Sequence, residues 1–224
     1  MATVTNYYSQ TFSASSYASV SRQSVNESFS TIRAGAGTNV LSPIAVTYLS
    51  ASSTTNQFAN LYRSIIVFDT SAIPSNATIT SATLSGNANS GFLKTNNLGS
   101  TSIELVSSNP SNPASIAAAD YSTLGSTSYG SIDYASFTDN AVNTISLNAS
   151  GILNITKTGT SKFGLRLGWD QSGTFGGSWS STAFTQLVFC GGVPTLTVNW
   201  TVDFPTLSFN NISSLANVTT ITTS

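Results

Sequence analysis

Residues 61–84, LYRSIIVFDTSAIPSNATITSATL, constrain the fold more than any other stretch of the chain. Ile65, Ile66, Val67 and Phe68 are apolar in succession and include β-branched residues. They leave no polar face, which fits a strand buried on both sides or one whose second face is covered by another element. Asp69, Thr70 and Ser71 then stop the run, and Pro74 cannot donate to a sheet, so a tight turn is expected. Ile79 restarts an apolar face that Ala82 and Leu84 continue. The step from Ile79 to Ala82 is odd, so the strand phase must slip there, most simply by a β-bulge.

Residues 162–170 alternate. Phe163, Leu165, Leu167 and Trp169 form one face, and Lys162, Gly164, Arg166, Gly168 and Asp170 the other. That second face meets water, a partner or a buried ion pair. Arg63 and Arg166 sit beside apolar runs, and each can snorkel or pair with an acid such as Asp69 or Asp170. Residues 195–202 alternate again, with Leu196, Val198, Trp200 and Val202 inward, and Pro205 is expected to break the ladder. Shorter strands are expected at 29–33, 45–49, 102–106, 142–147 and 186–190. Helical turns are expected within 115–121 and after 148. Residues 1–28 read as an edge strand or an arm, with Tyr7, Phe12, Tyr17 and Val20 on one face. Many short strands and almost no long amphipathic helix predict an all-β sandwich of two mainly antiparallel sheets over 1–203, followed by a C-terminal tail at 204–224.

Only 7% of the residues are charged, against roughly a quarter in ordinary soluble domains. The formal net charge of −1 leaves no basic footprint for nucleic acid. The scattered Lys and Arg argue against an anionic membrane surface. No apolar run approaches the roughly 18 residues of a membrane span, so no insertion is expected. Twelve Phe, eight Tyr and three Trp separate the chain from disordered sequences. Met1 to Tyr8 carry neither basic residues nor an apolar stretch, so no secretory signal is read there.

There is no histidine, which removes the Ser-His-Asp triad and the commonest zinc ligand. The acids are Glu27, Asp69, Glu104, Asp120, Asp133, Asp139, Asp170 and Asp203. Glycoside hydrolysis needs two of them facing each other across a bond. With so few acids, the chain is expected not to be an enzyme. The glycines of 34–39 lack dinucleotide or P-loop spacing. Cys190, the single cysteine, is expected to be a small buried hydrophobe. Asp69 is expected to cap its turn; calcium ligation is the competing reading, and no other cofactor is expected.

Two stretches are candidates for contacts. The loop 170–179, DQSGTFGGSW, offers Asp170, Gln171, Phe175 and Trp179 as a ligand set. An exposed Trp stacks on a sugar face, and Asp or Gln bonds its hydroxyls; the competing reading folds Phe175 and Trp179 onto the end of the sandwich. The tail offers Leu207, Phe209, Ile212, Leu215, Val218 and Ile221, with no charge after Asp203. These six are expected to dock on a neighbouring subunit by strand addition or apolar contact.

The order of YRSIIVFDTSAIP and ATITSATL, then SLNASGI (146–152), KFGLRL (162–167) and PTLTVNWT (194–201), resembles the DNRLRE-type jelly-roll module over roughly residues 5–202. That module is similar to carbohydrate-binding β-sandwich domains of secreted and surface proteins. The resemblance implies a jelly-roll-like sandwich, often with adhesion or glycan binding, and carries over no ligand residues. Apart from the resemblance, the missing signal, the lack of catalytic chemistry, the uncharged hydroxyl-rich composition and the tail beyond Pro205 lead to the expectation of a structural subunit of a virion or of a surface filament. A capsid decoration, a head fibre and a tail component are the virion candidates. Its partners would be copies of itself or other virion or surface proteins. The alternative is a glycan-binding module of an adhesion protein.

Overall fold

The computed structural model describes residues 3–88 and 94–205. Strand β1 (Thr3–Arg22) contains neither Gly nor Pro and runs for 20 residues. It is the seam of the fold. Residues 3–13 pair antiparallel with the last strand, from Thr3 opposite Pro205 to Ser13 opposite Thr195. A register slip between Ala14 and Ser16 follows, and the remainder pairs with a different sheet. Small side chains at Ala14, Ser15 and Ser16 suit such a bend. The sequence suggested an edge strand or arm; half of β1 is instead built into the interior.

The remaining strands are β2 (Asn39–Leu41), β3 (Ala45–Ala51), β4 (Phe58–Asp69), β5 (Thr78–Asn87), β6 (Thr95–Asn96), β7 (Ser102–Ser107), β8 (Gly130–Asp133), β9 (Val142–Ser146), β10 (Thr160–Leu167), β11 (Phe184–Cys190) and β12 (Thr195–Pro205). Every pairing is antiparallel. One sheet runs β1–β12–β5–β9. The other is centred on β4. Its one edge pairs with β1; its opposite edge is shared, β3 taking the first half and β10 the second. From β3 the sheet continues through β11 to β6, and from β10 through β7 to β8. The result is an all-β sandwich with one forked sheet.

The apolar run of β4 behaves as its sequence requires. Ile65, Ile66 and Phe68 are fully buried and Val67 is 1% exposed. They share one core with Phe163, Leu165, Leu167, Leu196 and Val198. The bulge falls where the pattern placed it. Asn199 opposes Ser81 and Trp200 opposes Ile79, so Thr80 is the extra residue; its hydroxyl donates to the Asn199 carbonyl at 3.1 Å.

Three expectations need correction. Residues 29–33 are not a strand but the helix α1 (Phe29–Ala34), because the Ser28 hydroxyl accepts the Thr31 amide and caps the turn. The strand expected over 162–170 stops at Leu167; Gly168–Ser172 form a helical turn closed by Gly173 at φ +88°. This is α3; α2 (Ala149–Leu153) is capped by Asn148. The ladder expected to break at Pro205 includes it: Pro205 lies opposite Thr3, and the residues beyond it lie outside the described residues. No helix among the described residues is long and apolar enough to cross a membrane. Phe204 and Pro205 belong to β12, and Leu207, Phe209, Ile212, Leu215, Val218 and Ile221 lie outside the described residues.

Candidate functional site

The loop that begins at Asp170 is anchored rather than open. The Asp170 side chain is 1% exposed and receives three guanidinium groups. Arg63 Nε and Nη2 donate to its two oxygens at 2.7 and 2.8 Å, and Arg166 Nε and Nη2 do so at 2.8 Å each. Arg33 Nε adds a longer bond at 3.2 Å and its Nη2 reaches the Asp170 carbonyl at 2.7 Å. The spare N–H groups go to backbone carbonyls: Arg63 to Tyr121 and Arg33, and Arg166 to Gly125. The Arg63 guanidinium also lies 4.0 Å from the Tyr121 ring centroid, and the Tyr121 hydroxyl donates to the Ile32 carbonyl. Burial alone would raise the Asp170 pKa, but Arg63 and Arg166 outweigh it and hold the carboxyl well below the ordinary range. The cluster ties β4, β10, α1, α3 and the 3₁₀ turn Ala118–Thr123 together. As a surface ligand group Asp170 is thereby ruled out: both of its oxygens are committed inside the protein.

The rest of that loop folds back. Gln171 donates to the Ser126 carbonyl. Phe175 packs among Trp169, Phe58 and Phe29, with ring centroids 4.9, 5.0 and 5.8 Å away. The Trp179 indole donates to the Gln57 carbonyl at 2.9 Å. Both aromatic side chains are half-buried. Rings that strand periodicity left unassigned have found apolar partners remote in sequence. At Gly177 a Cβ would lie 2.1 Å from the Leu98 carbonyl, which explains the glycine.

Asp69 is exposed, and its Oδ1 accepts the Ser71 amide at 3.0 Å, which is the turn cap that the sequence suggested. Cys190 is buried, and burial pushes its thiol up to about 12.

Two surfaces stand out among the described residues, a groove that sequence reading had not singled out and the N-terminal strand that it had read as an edge or arm. The first is a groove of about 320 Å³ walled by Tyr48, Tyr62, Asn60, Gln186, Val46 and Val188. The two tyrosine rings lie 5.0 Å apart, and the Tyr62 hydroxyl accepts from Gln23 at 2.7 Å. Its walls carry no charge. Only strand pairing brings these residues together: Tyr48 opposes Tyr62 on one side and Gln186 on the other.

The second surface is the tip of the β1–β12 ribbon. Val4, Tyr7, Tyr8 and Phe204 are 49, 81, 42 and 47% exposed. Tyr8 stacks on Trp200, with centroids 5.9 Å apart and planes 15° apart. Among the described residues no strand pairs with the outer edge of residues 3–13. That edge, TVTNYYSQTFS, contains no charge and no proline, the usual protections of an open edge. The sequence suggested an edge strand or an arm here; strand pairing narrows the open edge to residues 3–13.

No family model matches the chain, and no curated protein matches it.

Proposed function

We propose that this chain is a non-enzymatic structural subunit that assembles through the β1–β12 ribbon. Its partners are copies of itself or other proteins of a virion or surface filament, as a capsid decoration, head fibre or tail component. One observation carries the reading: among the described residues, 3–13 form an unpaired, uncharged strand edge flanked by exposed apolar side chains on both faces. Eleven residues of open edge supply backbone donors and acceptors for an added strand, and Val4, Tyr8 and Phe204 supply apolar area beside it. The test is mass against concentration, by light scattering, for the full chain and for Tyr7→Lys/Tyr8→Lys. Concentration-dependent assembly that the double substitution abolishes supports the reading. A full chain that stays monomeric throughout overturns it.

A second reading attaches to the Tyr48–Tyr62 groove. Two tyrosine faces, the amides of Asn60 and Gln186 and uncharged walls fit a neutral polyhydroxylated ligand such as a glycan. Binding on a panel of neutral oligosaccharides, lost on Tyr62→Ala with the melt retained, supports it. No binding to any member of the panel removes it.

A further inference from the structure

The core-facing side of the β1–β12 ribbon runs on past the layer that covers it. On β12, Leu196, Val198, Trp200 and Val202 are each at most 5% exposed, and Phe204 continues their alternation at 47%. Leu196 pairs with Phe12, Trp200 with Tyr8 and Phe204 with Val4, so these side chains share one face. Along β1 exposure rises in the same direction, from 6% at Phe12 to 42% at Tyr8 and 49% at Val4. The facing wall is the turn after β4, where Ala72, Pro74 and Asn76 stand across a groove of about 390 Å³. None of the residues lining that groove is charged. Among the described residues, the core is therefore open at this end.

We infer that the segment 206–224 of the same chain folds back over this groove and closes the core. Its chemistry matches: it carries Leu207, Phe209, Ile212, Leu215, Val218 and Ile221 and no charged side chain. Joining those side chains to an uncharged, largely apolar face takes both out of water. The point of departure selects the chain. The segment begins after Pro205, the last residue of β12, and the preceding Phe204 lines the groove. A segment tethered there meets the groove at an effective concentration on the order of millimolar, which a second copy matches only in millimolar protein. The length also suffices. Asn210 and Asn211 are the first residues past Pro205 suited to reverse the chain. At ~3.3 Å per residue, about five residues return from there to the lip and about four more reach the level of Trp200. Residues 212–224 exceed that need and bring Leu215, Val218 and Ile221 to the groove. The docked segment covers Tyr8 and Phe204 and leaves the backbone edge of residues 3–13 to a partner, so the inference does not rest on the assembly reading.

Bridging rates within the full-length chain test it. Asn76→Cys/Ala216→Cys places one thiol in the wall of the groove and one on the returning segment. Thr78→Cys/Ala216→Cys is the comparison: Thr78 is exposed, as Asn76 is, but it opposes Thr201 on the outer face of the sheet. Cys190 is buried in both. With a short bis-maleimide at micromolar protein, the first chain is expected to bridge internally about tenfold faster than the second. Equal or reversed rates overturn the docking, because a free segment visits both faces alike. Bridging of the first chain into dimers, read on a denaturing gel, overturns the same chain as occupant. Adding Leu215→Asp/Val218→Asp to the first chain is expected to lower its rate to that of the second, and an unchanged rate overturns apolar contact as what holds the segment. Assembly is read separately, as mass against concentration for the full chain, so the failure of either reading leaves the other standing.

Discussion

Arg63 and Asp170 stand 107 residues apart in sequence and meet in a two-pronged ion pair, Nε to Oδ2 at 2.7 Å and Nη2 to Oδ1 at 2.8 Å. Each is at most 3% exposed. Such a pair is weak evidence for stability when compared with apolar residues of the same volume, but removing one partner leaves charge uncompensated in the interior. Here the asymmetry is steep, because a single carboxylate serves Arg33, Arg63 and Arg166 together.

Asp170→Asn is therefore expected to destabilise the fold by about 3–5 kcal/mol, read as a lowered denaturant midpoint with an unchanged slope. A midpoint equal to that of the unmodified chain would show that the three arginines do not need their acid.

Acid should act through the same residue. Its folded pKa lies below the ordinary value of about 3.9, so the native state binds fewer protons than the unfolded chain in that range. The stability that Asp170 contributes is complete above about pH 4 and drains away as pH falls toward the folded value. Glu27, held low by its bond from Arg22, adds in the same direction. Urea midpoints are expected to be level between about pH 5 and 7 and to fall below about pH 4. In Asp170→Asn that fall should be shallower. An equal fall in both chains counts against the assignment.

Cys190 should be silent to thiol reagents. Burial raises its pKa to about 12, and the residue has no accessible surface. Native protein at pH 8 is expected to leave a chromogenic disulfide reagent unreacted, and unfolded protein to consume one equivalent. Rapid reaction of the native chain would show that β11 opens.

Leu165 is fully buried on β10, in the core between the sheets. Leu165→Ala should cost about 2–5 kcal/mol in a thermal or denaturant melt. Gly177→Ala should move the loop 170–179 instead, since the added carbon meets the Leu98 carbonyl. A loss of about 1–3 kcal/mol is expected, together with changed emission from Trp169 or Trp179. An unaltered melt and spectrum would mean that the loop is not seated as described.

What the sequence disclosed, and what it withheld, follows from the range of the forces involved. The run Ile65 to Phe68, the alternation of β12 and the extra residue at Thr80 are local patterns, and they were readable as such. The pairing of Arg63 and Arg166 with an acid was readable as a choice between two, because a charge on a buried face needs one. Residues 29–33 misled because Phe29, Thr31 and Ile32 favour strands, whereas a single hydroxyl at Ser28 caps a helix. For the loop aromatics the sequence offered two readings, an open ligand set and a fold back onto the sandwich, and their partners stayed illegible because Phe29, Phe58 and Trp169 lie elsewhere in the chain. The Tyr48–Tyr62 groove and the fork at β4 depend on strand register, which no local pattern encodes.

The seam strand also sets an order of events in time. Among the described residues, 3–13 pair with β12 alone, and Thr3 meets Pro205. A ribosome that has made β1 has not yet made the strand that closes it, so the first sheet waits for nearly the whole of 3–205. Contacts of such sequence separation make folding slow and leave the early edge unsatisfied meanwhile. Nascent chains crowded on one message would thus display the same bare Tyr7–Tyr8 strand to one another before any has finished folding.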